Sequence, residues 1–281
     1  MSKEVLLNGH FIPYEEASVS IDDRGFQFAE GIYEVFRVYN GHPFQLERHM
    51  RRMRASAGAL GLELDDVLAK LAEQSLQLLG RSGLKEAAVY MQVTSGHSPR
   101  AHLRPVALEP TTLAIVNPAS PPSAKVTEKG ITAITVSDER WAKCYAKTTM
   151  LLPNAAAKRR AHAAGCDEAL FVRDGFLMEA SASNAFVVID GVLTTAPASN
   201  YILHGVTRAV VLDLARELSL SCVEAPIPAE KIPSAEEMFT TGTTTEILPV
   251  VVVDGKTIGT GTPGPITRRL LEAYRSKVAA L

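Results

Sequence analysis

Four short stretches of the sequence contain residue types suited to amine, carboxylate or anion chemistry. Lys147 stands just before an apolar run, and burial there would favour the neutral amine, a nucleophile that can form a Schiff base. Glu179 ends an apolar segment beside small polar residues and could face a cavity. The stretches 205–207 and 242–245 each begin with glycine and could offer backbone and hydroxyl donors to an anion. Each stretch taken singly also has a simpler interpretation. Lys147 would be a solvated lysine, Glu179 a surface glutamate at a strand end, and the two glycine-led stretches ordinary turns or helix caps.

The elements that must position these residues can be predicted from periodicity and turn signals. Residues 32–39 alternate as a half-buried strand does and end at Asn40-Gly41, which predicts a hairpin with a returning strand at 42–46. Two further hairpins are predicted around Asp174-Gly175 and Asp190-Gly191. The remaining helices are predicted at 47–59, 64–79, 151–164, 206–218 and 267–278, and the remaining strands at 87–94, 112–116, 131–136, 168–172, 176–178, 185–189, 192–194, 238–240 and 247–253.

The order of these elements predicts an α+β fold. Strands come in hairpins with helices between the groups, which does not fit a doubly wound parallel sheet. Three prolines within the polar stretch 118–123 cannot continue a helix or a central strand, so this stretch is predicted to be an interdomain linker. It would separate a small N-terminal domain at 1–117 from a larger C-terminal domain at 124–281.

Composition excludes several classes of protein. The chain has 46% hydrophobic and 21% charged residues and a net charge of -2, as is usual for soluble globular proteins, and neither half is basic enough to predict a nucleic-acid partner. Neither a membrane span nor a signal peptide is predicted. Three widely spaced cysteines predict free thiols and a cytoplasmic location. The seven histidines lack metal-ligand spacing, so no metal is predicted.

Residues 259–264 match the glycine pattern of the dinucleotide-binding fingerprint by letter. The second strand and the acidic residue that should follow this pattern are missing, so the stretch is predicted to be a loop.

Short motifs occur in a consistent order along nearly the whole chain. They are Asp23-Arg24-Gly25-Phe26-Gln27-Phe28, Gly31-Ile32-Tyr33-Glu34-Val35, Val38-Tyr39-Asn40-Gly41, His49-Met50-Arg51-Arg52-Met53, Gln92-Val93-Thr94, Ser98-Pro99-Arg100-Ala101-His102, Lys147, Glu179-Ala180-Ser181-Ala182-Ser183-Asn184, Gly205-Val206-Thr207-Arg208 and Thr243-Thr244-Thr245-Glu246-Ile247-Leu248-Pro249-Val250. Together they resemble the fold-type IV aminotransferases, which depend on pyridoxal 5′-phosphate, and among them most closely the D-amino-acid transaminases. The resemblance implies two domains, with a small N-terminal α/β domain and a larger, barrel-like C-terminal α/β domain that binds the cofactor.

The resemblance also implies how the cofactor is bound. Lys147 takes the place of the lysine that holds pyridoxal phosphate as a Schiff base and later moves a proton between the substrate Cα and C4′ of the cofactor. Glu179 matches the carboxylate that faces the pyridine nitrogen and keeps it protonated. The resemblance places five further residues at the cofactor, most of them at its phosphate: Arg52, Val206, Thr207, Thr243 and Leu203.

Substrate selection is implied by a second set of residues. Tyr33, Arg100 and His102 match the groups that bind the substrate carboxylate in the D-specific enzymes, where the Arg-x-His loop reaches in from the neighbouring subunit. The resemblance therefore implies a homodimer that moves the amino group of a D-amino acid to a 2-oxo acid through a ping-pong cycle.

Several departures from the family pattern leave the substrate range open. Ala180 replaces a usual glycine, Gly242 replaces a usual serine or threonine, and Ser95 stands where an arginine is common. Arg37 is shared with branched-chain relatives, although their Glu-Gly pattern is here Glu34-Val35. The alternatives are a branched-chain L-amino-acid or (R)-amine transaminase, an aminodeoxychorismate lyase, and a non-catalytic binding protein of the same fold. The Arg-x-His motif argues against the two transaminases, and joint retention of the lysine, the carboxylate and Arg52 argues against a binding protein.

Overall fold

The computed structural model describes residues 3–281, which form two compact units. The N-terminal unit consists of residues 3–120, 146–151 and Leu281, and the C-terminal unit of 121–145 and 152–280. The segment 146–151, which contains Lys147, thus belongs to the N-terminal unit, although it lies within the range predicted for the larger domain. None of the helices within 3–281 combines the length and the apolar character needed to cross a membrane.

The N-terminal unit is built on a six-stranded antiparallel sheet with the order β2-β1-β6-β5-β3-β4. Its elements in chain order are β1 (Glu4–Leu7), β2 (His10–Pro13), α1 (Arg24–Phe28), β3 (Gly31–Tyr39), β4 (His42–Pro43), α2 (Leu46–Ala59), α3 (Asp65–Ser82), β5 (Ala87–Thr94) and β6 (Thr112–Pro118). The helices predicted at 47–59 and 64–79 and the strands predicted at 32–39, 87–94 and 112–116 are confirmed, whereas β1, β2 and the short helix α1 had no predicted range.

The hairpin predicted at Asn40-Gly41 is present, but its second strand is shorter than expected. Both turn residues have positive φ, 48° and 85°, as a two-residue hairpin turn requires. The prediction of a strand over 42–46 is wrong beyond Pro43. Proline has no amide hydrogen to donate to a ladder, and Gln45 adopts a left-handed φ of 56° that directs the chain into α2.

The core of the N-terminal unit lies between the sheet and helices α2 and α3. Ile32 and Phe36 of β3 are fully buried together with Met53 of α2 and Leu68 of α3. Glu34 lies in phase with Ile32 and Phe36, because side chains two positions apart in a strand share a face. A carboxylate is therefore placed on the core side of the sheet and must have partners there.

The connection between β5 and β6 is long and contains neither helix nor strand. It begins at Gly96, whose φ of +94° favours glycine, and a Cβ at this position would lie 2.0 Å from the carbonyl oxygen of Glu109. Glycine thus permits the start and end of the loop to approach each other. Loops of this length are commonly functional, and this one carries Arg100 and His102.

The C-terminal unit contains a ten-stranded mixed sheet, in which nine strands follow the order β12-β11-β10-β14-β15-β7-β8-β9-β13 and β16 pairs with β15. Its elements are α4 (Ala124–Lys129), β7 (Ile131–Ser137), α5 (Leu152–Ala163), β8 (Glu168–Arg173), β9 (Phe176–Ala180), β10 (Asn184–Ile189), β11 (Val192–Thr195), α6 (Val206–Glu217), β12 (Cys222–Glu224), β13 (Ile227–Pro228), β14 (Glu237–Gly242), β15 (Glu246–Val253), β16 (Lys256–Thr257) and α7 (Pro265–Ala279). Strand β7 runs parallel to both β8 and β15, while most other neighbours are antiparallel.

The α+β prediction is confirmed, as are both Asp-Gly turns. Asp174 and Gly175 have φ values of 51° and 81°, and Asp190 and Gly191 have 51° and 71°. The stretch 259–264 is an irregular loop, as predicted. The elements that were not predicted in this unit, α4, β12, β13 and β16, are all short, and short elements offer too few residues for a periodic pattern.

Candidate active site

Lys147 lies beside Tyr33 in the N-terminal unit. Its backbone N–H donates to Ser56 Oγ of α2 at 2.9 Å, and its carbonyl oxygen accepts from the Tyr33 amide of β3 at 3.0 Å. The half-buried amine extends over the Tyr33 ring, with Nζ 4.2 Å from the ring centroid. The backbone of Lys147 is thereby fixed to a strand and a helix of one core, and its amine is held against an aromatic face.

Arg52 is held by a buried carboxylate that the sequence patterns did not assign to it. Glu34 is fully buried, and it accepts from Arg52 Nε at 2.6 Å and Nη2 at 2.9 Å. His49 Nδ1 lies 2.8 Å from the same carboxylate. Arg52 was predicted to grip a phosphate, and a guanidinium has five N–H groups, so it can bind Glu34 along one edge and an anion along another.

The electrostatics of this cluster favour an ionised Glu34 and a neutral His49. Burial alone would raise the pKa of Glu34, but the charge of Arg52 and hydrogen bonds from His49 and Arg52 lower it to about 2. Burial lowers the pKa of His49, and the nearby charges of Arg52 and Lys147 act in the same direction, against the opposing effect of Glu34. The cluster is therefore a fixed ion pair with a histidine donor rather than a proton-exchanging group.

Glu34→Gln is expected to lower the free energy of unfolding by about 3 kcal/mol at pH 7. Because the pKa of Glu34 is about 2 in the fold and 4.5 as its ordinary value, its stabilisation is complete above pH 4.5. Below that pH the wild-type protein loses it at about 1.4 kcal/mol per pH unit. When urea unfolding is measured between pH 7 and 3.5, the free energies of unfolding of wild type and Glu34→Gln should therefore approach each other as the pH falls. Glu15→Gln, at an exposed position, is the matched control. A difference that stayed constant across this range would contradict the assignment.

Glu179 is buried in β9 of the C-terminal unit, with 4% of its surface exposed. It accepts hydrogen bonds from Arg140 Nη1, from Asn184 Nδ2 at 2.8 Å and from the backbone N–H of Leu203 at 3.0 Å. Burial raises the pKa of Glu179 to about 7, against the opposing effects of Arg140 and the Leu203 amide. Three donors therefore fix the carboxylate, and Leu203 contacts it directly.

Arg140 is itself oriented by a second buried carboxylate, Asp138. The Arg140 Nε and Nη2 atoms donate to the two oxygens of Asp138 at 2.8 and 3.0 Å, and Nη2 also donates to the Tyr201 carbonyl at 3.0 Å. Arg173 Nε donates to Asp138 at 3.2 Å, and its Nη2 donates to the Arg140 carbonyl at 2.8 Å. Such a two-pronged pair holds the guanidinium in one plane, so its remaining edge is presented to Glu179.

The start of α6 is suited to binding an anion. Val206 and Thr207 are buried at the first turn, and the helix has no capping side chain because its N-cap is Gly205. A Cβ at Gly205 would lie 1.9 Å from Asn184 Oδ1, so a larger cap residue cannot be accommodated. Buried amides at a helix start need partners, and the helix dipole favours a negative group there.

The hairpin between β14 and β15 adds unpaired hydroxyl groups to the same part of the unit. Thr241 pairs in register with Asn184, and the buried Oγ1 atoms of Thr241 and Thr245 have no hydrogen-bond partner among the described residues. A Cβ at Gly242 would lie 2.5 Å from Thr245 Oγ1, and Thr243 is half-buried in the same turn. A buried hydroxyl without a partner costs about 1–3 kcal/mol. These residues therefore fit a polar, anionic group such as a phosphate.

Arg100 and His102 lie exposed on the long β5–β6 loop. Their side chains both approach the ring of Phe28, with the Arg100 guanidinium 4.7 Å and the His102 ring 5.8 Å from its centroid. Within residues 3–281, no hydrogen bond or ring contact joins either residue to Tyr33. The structure of one chain thus brings Arg100 and His102 together, but does not bring them to Tyr33.

The sequence patterns gave no role to two further buried charged residues, Glu34 and Arg140, although the position of Glu34 in its strand indicated that it needs a partner. Glu34 alternates in phase with apolar residues, which indicates a carboxylate on a core face that needs a partner. His49 and Arg52, spaced i and i+3 on one helix, are the type of partner expected. Arg140 lies in an irregular segment after β7, where no periodicity indicates which way a side chain points.

Comparison with known proteins identifies the family. The family model described as amino-transferase class IV matches residues 31–253. The chain belongs to the class IV aminotransferases. D-alanine aminotransferases of Bacillus licheniformis and Staphylococcus aureus strain N315 are 38% and 36% identical to this class IV aminotransferase, covering 98% of this chain and 97% and 98% of theirs.

Solved structures confirm the fold-type IV architecture. The branched-chain amino acid aminotransferase of Escherichia coli is 26% identical with a TM-score of 0.90, covering 98% of this chain and 94% of that one. The corresponding enzyme from Thermoproteus uzoniensis, with norvaline, is 30% identical with a TM-score of 0.89, covering 100% and 96%. A third branched-chain enzyme, from T.th., was solved with pyridoxamine 5′-phosphate and has a TM-score of 0.92 at 28% identity, covering 100% and 95%. This class IV aminotransferase is accordingly an enzyme that depends on pyridoxal 5′-phosphate.

Proposed function

We propose that this protein is a D-amino-acid transaminase, which transfers the amino group of a D-amino acid to a 2-oxo acid. The observation that carries this proposal is the ordered loop presenting Arg100 and His102, a guanidinium and an imidazole two residues apart. A planar guanidinium matches a carboxylate in shape and charge, and the imidazole adds a second donor. The D-alanine aminotransferase names of relatives at 36–38% identity over nearly the full chain support the same reaction.

Two groups of residues would hold the cofactor. Lys147 would bind its aldehyde carbon covalently, and Glu179 would accept a hydrogen bond from its ring nitrogen. The phosphate would be bound by Arg52, the amides of Val206 and Thr207, and Thr243, with Leu203 placed at the cofactor ring. When bound, pyridoxal phosphate supplies an electron sink for the bonds at the substrate Cα.

The residues of this chain would then divide the proton chemistry between them. Lys147, displaced by the substrate amine, would remove the proton from Cα and return it at C4′ of the cofactor. Glu179, paired with the neighbouring Arg140, would in its ionised form keep a proton on the ring nitrogen, because a buried negative charge stabilises the positive nitrogen. Tyr33 lies under the Lys147 amine and would contribute a hydroxyl donor to the substrate carboxylate.

We also propose that the enzyme acts as a homodimer in the cytoplasm. Large apolar side chains are exposed near the Arg100–His102 loop, among them Ile21, Phe26 and Leu103, with 76%, 77% and 86% of their surface accessible. Contiguous exposed apolar side chains commonly mark protein interfaces. A second subunit covering them would give Arg100 and His102 access to the active site of that partner. The cysteines Cys144, Cys166 and Cys222 are all unpaired, as expected in a reducing compartment.

The test is the first half-reaction of the cofactor-loaded protein, with D-alanine and L-alanine added separately and no oxo acid present. D-alanine should convert the pyridoxal absorbance to that of the pyridoxamine form at least ~100-fold faster than L-alanine, since a misdirected carboxylate loses charge-assisted hydrogen bonds of about 3 kcal/mol. The same measurement with D-leucine and L-leucine covers the branched-chain alternative. Faster conversion by the L-enantiomers would refute the proposal and favour a branched-chain activity.

A branched-chain L-amino-acid transaminase is the second candidate, because the solved structures described above are branched-chain amino acid aminotransferases. Arg37, shared with those relatives, does not strengthen it. This side chain is 1% exposed, donates to the Ala87 carbonyl and to Glu86, each at 3.2 Å, and stacks on Tyr39. These contacts within the sheet give Arg37 a structural role, so it provides no argument for an L-specific substrate site.

A further inference from the structure

We propose that Arg24 is a positioning residue that holds the Arg100–His102 loop in its binding conformation and thereby sets the affinity of the enzyme for carboxylate substrates. The inference rests on the proposed function, in which Arg100 and His102 bind the substrate carboxylate. Arg24 itself is 3% exposed and acts only through the loop. Its hydrogen bonds all lie within the N-terminal unit.

Each of the three guanidinium nitrogens of Arg24 donates to one short stretch of chain or to one carboxylate. Nη1 donates to the carbonyl oxygen of Ala101 at 2.8 Å, and Nη2 donates to that of His102 at 3.3 Å. Nε donates to the carboxylate of Glu30. The two carbonyls belong to consecutive residues, so the backbone that carries His102 is held on both sides of its Cα.

Glu30 links Arg24 to the start of the same loop. Its carboxylate accepts from Ser95 Oγ at 2.8 Å, and its carbonyl oxygen accepts from the Ser95 amide at 3.2 Å. Arg104 forms a longer ion pair with it, at 3.5 Å. Ser95 is a short neutral donor, so the charge of Glu30 is directed at Arg24 and Arg104. An ion pair at so buried an arginine is screened weakly by solvent.

The ends of the loop are fixed separately by Asp23. One of its oxygens accepts from the Gly25 amide at 2.8 Å, and the other accepts from Thr94 Oγ1 at 2.9 Å and Thr111 Oγ1 at 2.7 Å. Thr94 precedes the loop and Thr111 ends it. Asp23 thus closes the base of the loop, while its neighbour Arg24 holds the middle. Loss of the Arg24 contacts should release residues 100–102 without opening the base.

The ring of Phe28 connects Arg24 to Arg100 and His102, the two side chains that would bind the substrate carboxylate. The guanidinium groups of Arg24 and Arg100 each lie 4.7 Å from its ring centroid, and the His102 ring lies 5.8 Å away. A cation over an aromatic face is attracted by the electron density of the ring. Arg24 and Phe28 therefore order both the backbone of the loop and the direction of its two binding side chains.

The experiment replaces Arg24 by lysine, whose donors all lie on one nitrogen and cannot reproduce the planar, three-nitrogen spacing with which Arg24 reaches Glu30, Ala101 and His102. In Arg24→Lys holoenzyme, the KM for D-alanine and the inhibition constant of acetate, a carboxylate without an amine, should each rise ~10-fold, as expected for loss of a well-oriented charged hydrogen bond. Saturated kcat and retention of the cofactor on dialysis should stay within ~3-fold, because chemistry at Lys147 is untouched. Arg81→Lys, at a surface arginine paired with Glu4 in the same unit, is the matched control. Unchanged KM and acetate inhibition in Arg24→Lys would overturn the proposal.

A double-mutant cycle separates failure of this inference from failure of the proposed function. If Arg24 acts through Arg100, the variant carrying both Arg24→Lys and Arg100→Ala should bind acetate no more weakly than Arg100→Ala alone. Independent, additive losses would overturn the positioning role while leaving the carboxylate assignment of Arg100 in place. An Arg100→Ala variant with wild-type acetate affinity would refute the carboxylate assignment itself. Should Arg24→Lys fail to fold, Glu30→Gln replaces it, with an expected ~3-fold rise in the acetate constant, and wild-type behaviour there would refute the inference.

Discussion

Lys147→Ala is expected to abolish transamination, with kcat falling at least ~10⁴-fold, the upper range for removal of a general acid–base group. The loss should exceed that range, because the same amine binds the cofactor covalently and then moves the proton. The structure gives this amine a fixed place, since its backbone is bound on both sides and its Nζ lies over the Tyr33 ring. The variant should therefore fold normally and still retain the phosphate-binding residues.

Three measurements check this expectation. Turnover with D-alanine and a 2-oxo acid gives kcat, the visible absorbance reports the covalent link, and borohydride reduction followed by peptide mass spectrometry locates the attachment. In the wild-type protein the modified peptide should contain Lys147. Lys143→Ala, at an exposed lysine four residues earlier, is the matched control and should remain active. Activity of Lys147→Ala within ~10-fold of wild type, far less than the loss of a proton-transferring group, or attachment at another lysine, would refute the assignment.

Glu179→Gln is expected to lower kcat by ~10²–10³-fold, the usual effect of removing one electrostatic stabiliser from a buried site. Glutamine has nearly the same shape and can still accept from the Leu203 amide, but it carries no charge to hold a proton on the ring nitrogen. The change should also leave the buried Arg140 with Asp138 as its remaining carboxylate partner. A loss of stability should therefore accompany the loss of activity.

The charge of Glu179 and its geometry can be separated by a second substitution. Glu179→Asp keeps the negative charge but shortens the side chain, so its kcat should exceed that of Glu179→Gln, although both remain below wild type. Rates of the D-alanine half-reaction measured by stopped flow, with thermal unfolding of each variant beside them, would test this order. Equal activity of wild type and Glu179→Gln would show that the carboxylate does not act on the cofactor.

Local sequence patterns predicted most of the helices and strands, and they placed Lys147 shortly before the helix that the structure has at Leu152–Ala163. The Asp-Gly and Asn-Gly turns depend on backbone conformations that few residues adopt, so the sequence indicates them directly. The error at residues 44–46 arose because a strand and a helix entry were separated only by the left-handed turn at Gln45. Neither propensity nor periodicity reveals such a turn at a glutamine.

Partnerships between distant residues could not be predicted in the same way. Arg24 meets His102 across 78 positions, and Arg140 meets Glu179 across 39. Each pairing depends on how the fold brings distant strands and loops together, and a short stretch of sequence does not contain that information. The resemblance supplied candidate cofactor and substrate residues, but not the buried carboxylates Glu34 and Asp138 that orient two of the arginines.

The contact between Gly242 and Thr245 has a consequence for how such sequences diverge. Because a Cβ at 242 would lie 2.5 Å from Thr245 Oγ1, a serine at 242 and the present threonine conformation exclude each other. The turn therefore has room for a side chain at 242 or for this conformation of Thr245, but not for both. If the turn binds the phosphate as proposed, Thr245 would supply a hydroxyl group that position 242 lacks. Substitutions at 242 and 245 should accordingly be inherited as a pair.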